Sequence, residues 1–266
     1  MSKERLDVLL TTLGFFDSRE AAKRAIMAGI ILVNDEVVDK AGTKVLVDGE
    51  IRIKGKVMPY VSRGGYKLEK AIEVFDLDLR DRIVIDIGAS TGGFTDCALQ
   101  NGASFVYAVD VGSNQLAWKL RDDDRVLSME RTNFRHLEAK DLKHGVPTFS
   151  CMDVSFISIK LLLPVLKEIL PLEGEIIALI KPQFEAGRDA VGKGGIIKDR
   201  SVHRDVVVGI VDFVRELGFV PRGLTYSPIK GGEGNIEFLI HLANTGEDVA
   251  CDQLIKDVVK EAHEST

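Results

Sequence analysis

Two aspartates at the ends of apolar runs, with glycines between them, are the first residues in this chain whose type and spacing could do chemistry. Arg82-Ile83-Val84-Ile85 leads into Asp86-Ile87-Gly88-Ala89-Ser90-Thr91-Gly92-Gly93-Phe94-Thr95 and then into a stretch of helical pattern. Glycines at a strand-to-helix turn let the backbone approach a ligand closely. A dinucleotide site would read G-x-G-x-x-G, and Gly88, Gly92 and Gly93 do not keep that spacing, so a dinucleotide is disfavoured. Asp110 closes the next run, Val106-Tyr107-Ala108-Val109, 24 residues after Asp86, where a carboxylate can accept hydrogen bonds from ribose hydroxyls. The pair points to a nucleoside cofactor. Asn133 ends Met129-Glu130-Arg131-Thr132-Asn133, either at the edge of a bound base or in a surface loop.

A second pair could move a proton. Asp153 follows Phe149-Ser150-Cys151-Met152, and Lys181 follows Ile177-Ala178-Leu179-Ile180; both fall where strands open on a ligand crevice. A lysine directly after an apolar strand and held extended by Pro182 is costly to desolvate unless it is paired or neutral, which suits a general base. A surface lysine lying along apolar surface is the plain alternative.

These residues need elements to position them. From Arg82 onward, apolar β-type runs (Ile83 to Ile87, Phe105 to Val111, Val126 to Met129, Phe149 to Val154, Ile176 to Ile180, and runs near Phe219 and Phe238) alternate with helical stretches. The helical stretches are Gly93 to Gln100, Gln115 to Leu120, Ile159 to Ile169 and Arg200 to Leu217. That alternation predicts an α/β doubly wound sheet. Ahead of it, Leu6, Leu9, Leu10 and Leu13 recur at helical spacing and Gly14 stops that helix. Asp17 with Glu20 makes a capping box for a second helix, Ser18 to Ala28, ended by Gly29. Short β runs follow at Ile30 to Val33, Glu36 to Val38, Lys44 to Val47 and Ile51 to Ile53. A small α+β head at 1–58 therefore precedes a linker and lead-in helix at 59–81 and a large body at 82–266. Gly55 to Tyr66, with Pro59 and Gly64-Gly65, reads as linker or loop rather than core, and a helix is expected in the tail from Val249 to Ala262.

Composition narrows the function classes. With 266 residues, 45% hydrophobic and 29% charged, the chain can bury a substantial core, which argues against disorder. The aliphatic run Leu161 to Leu166 is six residues with Pro164 inside it, against ~20 apolar residues for a membrane span. The N-terminus lacks the apolar region of a secretory signal, so a cytoplasmic protein without a membrane partner is expected. Cys97, Cys151 and Cys251 form no close pair and no cluster with histidines; neither disulfides nor a metal site are expected, and the thiols should be buried. The net charge of -6 conceals an asymmetry: residues 1 to 67 carry +3 and the remainder -9. Arg19, Lys23 and Arg24 share roughly one face of the second helix, where they could grip phosphates or simply be solvated.

The motifs resemble known families. Ser18-Arg19-Glu20-Ala21-Ala22-Lys23-Arg24-Ala25-Ile26, then Gly29 and Val33-Asn34, resemble the S4 RNA-binding domain, which implies that Arg19, Lys23 and Arg24 face structured RNA. The stretch from Asp86 to Asp110 resembles the S-adenosylmethionine site of Rossmann-like class I methyltransferases. The resemblance implies cofactor contacts from Asp86, Gly88, Ser90, Thr91, Gly92, Gly93, Phe94, Asp110 and Asn133, with the first acid near the methionine portion and the second on the ribose. Lys67 and Glu237 join Asp153 and Lys181 in the order K-D-K-E, similar to the tetrad of FtsJ-like ribose 2'-O-methyltransferases. That implies Lys181 as base toward a 2'-hydroxyl, Lys67 and Asp153 positioning the hydroxyl and tuning the base, and Glu237 supporting the lysines.

With Ser62-Arg63-Gly64-Gly65, Gln115-Leu116-Ala117-Trp118, Asp153 to Ser158 and Lys181-Pro182-Gln183-Phe184-Glu185, the resemblance is to the TlyA family over residues 3 to about 243. It implies an rRNA cytidine 2'-O-methyltransferase that works on ribosomal RNA or subunits, with Arg63 also on RNA. Three alternatives are weighed. A base-amine methyltransferase would want prolines that Asp153-Val154-Ser155-Phe156 lacks; an idle-fold RNA-binding factor would not need the tetrad; a pore-forming lysin, as the family's older haemolysin label suggests, would need an apolar span.

Overall fold

The structure is a computed structural model that describes residues 3–16, 18–54, 58–187, 190–192, 194–231 and 234–265. The chain divides into two compact units, Met1–Pro59 and Tyr60–Thr266.

In the first unit, β1 (Lys3–Arg5) and α1 (Leu6–Thr12) are followed by α2 (Arg19–Met27) and the short strands β2 (Ile31–Val33), β3 (Glu36–Val37), β4 (Lys44–Leu46) and β5 (Ile51–Ile53). β3-β2-β5 form one antiparallel sheet, and β4 pairs with β1, whose polar Lys3–Arg5 no apolar pattern announced. Leu6, Leu9 and Leu10 of α1 and Ala22, Ala25 and Ile26 of α2 meet Ile31, Val33 and Val45 in a core of their own. Ser18 caps α2 by accepting from the Ala21 N–H; the expected cap at Asp17 lies outside the described residues. Asp7 is buried beneath Arg5 and Arg19, whose guanidinium groups hold its carboxyl well below the ordinary range.

The second unit is built on one sheet, which among the described residues has the order β11 (Val220–Tyr226), β12 (Phe238–Ala243), β10 (Glu175–Ile180), β9 (Phe149–Met152), β6 (Ile83–Ile87), β7 (Phe105–Val109), β8 (Val126–Met129). β10, β9, β6, β7 and β8 run parallel; β12 is antiparallel to both its neighbours. The chain winds outward from β6 through β7 to β8, then crosses back to β9 and β10. A crevice therefore opens where β6 and β9 diverge. One face is covered by α3 (Gly65–Phe75), α4 (Gly93–Gln100) and α5 (Trp118–Arg121), through Leu68, Ala71, Phe94, Cys97, Ala98 and Leu120. The other is covered by α6 (Leu163–Ile169), α8 (Arg200–Glu216) and α9 (Asp252–Ser265), through residues such as Leu166, Val207, Ile210 and Val259; α7 (Pro182–Glu185) is a single turn between β10 and α8.

Four expectations change. The segment expected to link the two units is packed into the second one from Tyr60 on, whose ring is buried under Gly65. Gln115 to Ala117 is not helical, because Ala117 is extended and its N–H bonds the Thr91 carbonyl, leaving only Trp118–Arg121 as helix. Ile159 to Ile169 is broken by Pro164 into a short turn, Ile159–Leu161, and α6. Cys97 and Cys151 are buried, but Cys251, just before α9, is exposed. No helix among the described residues is long and apolar enough to cross a membrane.

Candidate active site

Strand register brings the four distant residues together. β10 and β12 are antiparallel with Ile180 opposite Phe238, so the next step along each strand sets Lys181 beside Glu237. β9 runs parallel to β10 and delivers Asp153, whose N–H bonds the Ile87 carbonyl. Lys67 comes from the first turn of α3. Lys67 Nζ lies 2.9 Å from Asp153 Oδ2 and 2.8 Å from Glu237 Oε2, while Lys181 Nζ lies 2.5 Å from Asp153 Oδ1 and donates to Ser155 Oγ at 3.0 Å. Lys67 is 6% and Lys181 8% exposed. Two cations and two anions balance, and such burial is tolerable only with this degree of pairing. Desolvation alone would lower the pKa of Lys67, but the charges of Asp153 and Glu237 outweigh it and raise it. Burial would likewise raise the Asp153 carboxyl, and the two lysines hold it below its ordinary value. Lys67 thus keeps its proton against two carboxylates, whereas Lys181 faces one.

Beside this cluster are two adjoining cavities of about 310 and 330 Å³ that share Gly88, Ser90, Asp153 and Ser155. The first is lined by Ser62, Arg63, Gly64, Lys67, Thr91, Gly93, Phe94 and Lys181 as well; the second adds Asp110, Gln115, Thr132, Asn133 and an apolar wall including Val109 and Phe134. A Cβ at Gly88, whose φ is +83°, would stand 2.5 Å from the Asp153 carbonyl oxygen, so only glycine allows this crossing. Asp110 accepts from the N–H groups of Ser90 and Gly112 at 2.8 and 2.7 Å, which draws the glycine turn against the second acid and leaves carboxylate lone pairs free. The Asn133 side-chain oxygen is occupied by the Arg135 N–H, so its amide N–H groups are the part left for a base.

Two expected cofactor contacts do not line the cleft. Gly92 packs toward Leu116 and Leu120, and Asp86 lies wholly buried beneath the turn, accepting from Thr95 Oγ1 at 2.6 Å. Burial pushes the Asp86 carboxyl up to about 7, against the opposing hydrogen bond from Thr95. Sequence reasoning named Ser62, Gly64, Ser155 and Phe156 within motifs but gave none of them a site role. Ser155 and Phe156 stood directly after Asp153, and that adjacency was the available signal. Phe156 is 91% exposed with φ +65°, and its ring meets that of Phe184 at 5.1 Å. Of the basic residues expected on RNA, Arg63 is exposed at the rim of the first cavity. In the first unit, Arg19 is paired with Asp7 and Lys23 with Glu20, while Arg24 is exposed and carries no ion pair among the described residues. No group of three or more His, Cys, Asp or Glu among the described residues is placed to hold a metal ion.

Comparison with known proteins agrees with this geometry. The model of the FtsJ-like methyltransferases matches residues 60–244, and that of the S4 domain residues 4–51. The 16S/23S rRNA (cytidine-2'-O)-methyltransferase TlyA of Mycobacterium tuberculosis is 35% identical over 98% of this chain and 97% of that protein. The chain belongs to the TlyA family of FtsJ-like methyltransferases. YqxC of Bacillus subtilis, which carries an rRNA methyltransferase name, is a relative 55% identical over 99% of this chain and 95% of that protein. A solved structure from Streptococcus thermophilus that carries the hemolysin name covers all of this chain and 97% of its own at 53% identity, with TM-score 0.78. The TlyA-type body is a class I methyltransferase, and S-adenosylmethionine is its methyl donor. The residues fit that group: the Gly88 turn leaves room a side chain would fill, and Asp110 and Asn133 offer an acceptor and donors along the second cavity.

Proposed function

We propose that this protein methylates the ribose 2'-hydroxyl of a cytidine in ribosomal RNA, with Lys181 as proton acceptor. The observation that carries the reading is the ion cluster of Lys67, Asp153, Lys181 and Glu237, the first three of which line the cavity beside the Gly88 turn. A ribose hydroxyl is a weak nucleophile, so the protein must align it and take its proton during attack. When bound, S-adenosylmethionine supplies an activated methyl group on sulfonium. Lys67 stays cationic between its two carboxylates and fixes Asp153; Asp153 orients Lys181; and the neutral amine of Lys181, formed once it has released its resting proton to solvent, turns its lone pair to the hydroxyl and takes its proton. The exposed Phe156 ring, backed by Phe184, gives a flat apolar surface on which an unstacked base can lie, which favours a single-stranded or extruded nucleotide.

Ribosomal RNA and cytidine follow from what the TlyA relative acts on, together with the S4 match over 4–51. The expected contacts are Asp110 and Asn133 with the nucleoside part of the cofactor, Gly88, Ser90, Thr91, Gly93 and Phe94 around the remainder, and Arg24 and Arg63 with RNA phosphates. Incubation with S-adenosylmethionine and unmodified ribosomal subunits should yield 2'-O-methylcytidine, and a base-methylated nucleoside instead would overturn the reading.

A further inference from the structure

The stretch Lys181-Pro182-Gln183-Phe184-Glu185 brings Lys181 to the cleft with its first residue, and its last does something else. Glu185 Oε2 accepts the Ser158 hydroxyl at 2.6 Å, and Oε1 accepts the Ile159 N–H at 2.9 Å. Burial pushes the Glu185 carboxyl above its ordinary value, against the opposing effect of those two donors and of Lys160. A carboxylate desolvated this far is retained where its hydrogen bonds hold something in place.

What they hold is the loop 153–158. It is tied to the Lys181–Glu185 stretch at successive points: Asp153 and Ser155 on Lys181, the Phe156 ring on Phe184, and Ser158 with Ile159 on Glu185. Midway, Phe156 sits at φ +65°, a conformation that costs a non-glycine residue energy and relaxes unless its surroundings enforce it. The loop has ends fixed by Lys181 and by Glu185, and Ser155, the second partner of Lys181, lies between them.

We propose that Glu185 is a positioning residue for methyl transfer: its two hydrogen bonds lock the loop 153–158 against α7, so that Ser155 and Lys181 meet the target hydroxyl in one geometry. The inference rests on Lys181 being the proton acceptor. In Glu185→Gln the amide oxygen can satisfy one donor, while its N–H groups confront the other, which has no acceptor to offer when it is the Ile159 N–H.

The test is steady-state methylation of unmodified ribosomal subunits by wild type, Glu185→Gln, Ser158→Ala and the double variant, with S-adenosylmethionine affinity measured by calorimetry. Glu185→Gln should lower kcat by about 10- to 100-fold while cofactor Kd stays within about twofold. Ser158→Ala should lower kcat by a smaller factor, and the double variant should be no slower than Glu185→Gln. A Glu185→Gln enzyme with wild-type kcat, or one that loses cofactor affinity in step with kcat, overturns the inference, the latter because it marks general support of the fold. Should Glu185→Gln fail to fold, Ser158→Ala decides alone, and an unchanged kcat overturns the inference. The wild-type product separates the two readings: a base-methylated nucleoside overturns the ribose assignment, while a ribose-methylated product with undiminished variants overturns the role of Glu185 only.

Discussion

Asp153 divides its two carboxylate oxygens between two lysines, Oδ2 to Lys67 and Oδ1 to Lys181, and this division separates the roles of the lysines. Lys181→Ala should reduce kcat by about 10²- to 10⁴-fold with cofactor affinity preserved, measured by single-turnover methylation and calorimetry. Lys67→Met should cost about 3–5 kcal/mol in urea denaturation, because it strips the cation from two carboxylates, one of them fully buried; wild-type stability would contradict the cluster. Asp86 gives a pH signature. Its carboxyl rises from an ordinary 3.8 to about 7 in the fold, so the unfolded chain ionises first and stability falls as pH climbs between those values. Relative to wild type, Asp86→Asn should become more stable from pH 4 to pH 8 by up to about 4 kcal/mol, read by denaturation at both pH values. Asp153 and Lys181 were legible because each directly follows an apolar run. Lys67 and Glu237 lie 170 residues apart and follow no such run, so only their order in a known tetrad suggested them and only strand register accounts for the contact.

At the scale of elements, periodicity located the parallel strands and α4 closely, since a buried strand or amphipathic turn writes its burial into local sequence. It failed where long-range bonds decide conformation. Gln115 to Ala117 has helical composition but is drawn out by the Thr91 carbonyl, and β1, with its polar Lys3–Arg5, is a strand only because β4 pairs with it. The Gly88 turn is the element on which cofactor binding depends. Gly88→Ala adds a Cβ against the Asp153 carbonyl at a backbone angle that disfavours it, and should weaken S-adenosylmethionine binding by about tenfold or more, or about 1.4 kcal/mol. Unchanged affinity by calorimetry would show that the turn does not approach the cofactor.

For the whole molecule, charge and division of labour go together. Residues 1 to 67 carry +3, of which the first unit, Met1–Pro59, holds +1 against -7 for Tyr60–Thr266, and the two units have separate cores. Binding to RNA should therefore weaken steeply with salt, and Arg24→Ala should reduce the slope of log affinity against log salt by about 1; an unaltered slope would remove Arg24 from the interface. The tail helix α9 was legible as a helix, but its packing through Ile255, Val258 and Val259 into the body was not, because an amphipathic pattern gives a buried face without naming what covers it. The most direct test of the central claim is nucleoside mass spectrometry after the protein and S-adenosylmethionine are incubated separately with unmodified small and large ribosomal subunits. The tetrad predicts a 2'-O-methylated nucleoside, and the proposed TlyA-like specificity a cytidine, that disappears with Lys181→Ala. A methyl group on a base, or methylation that survives Lys181→Ala, would contradict it.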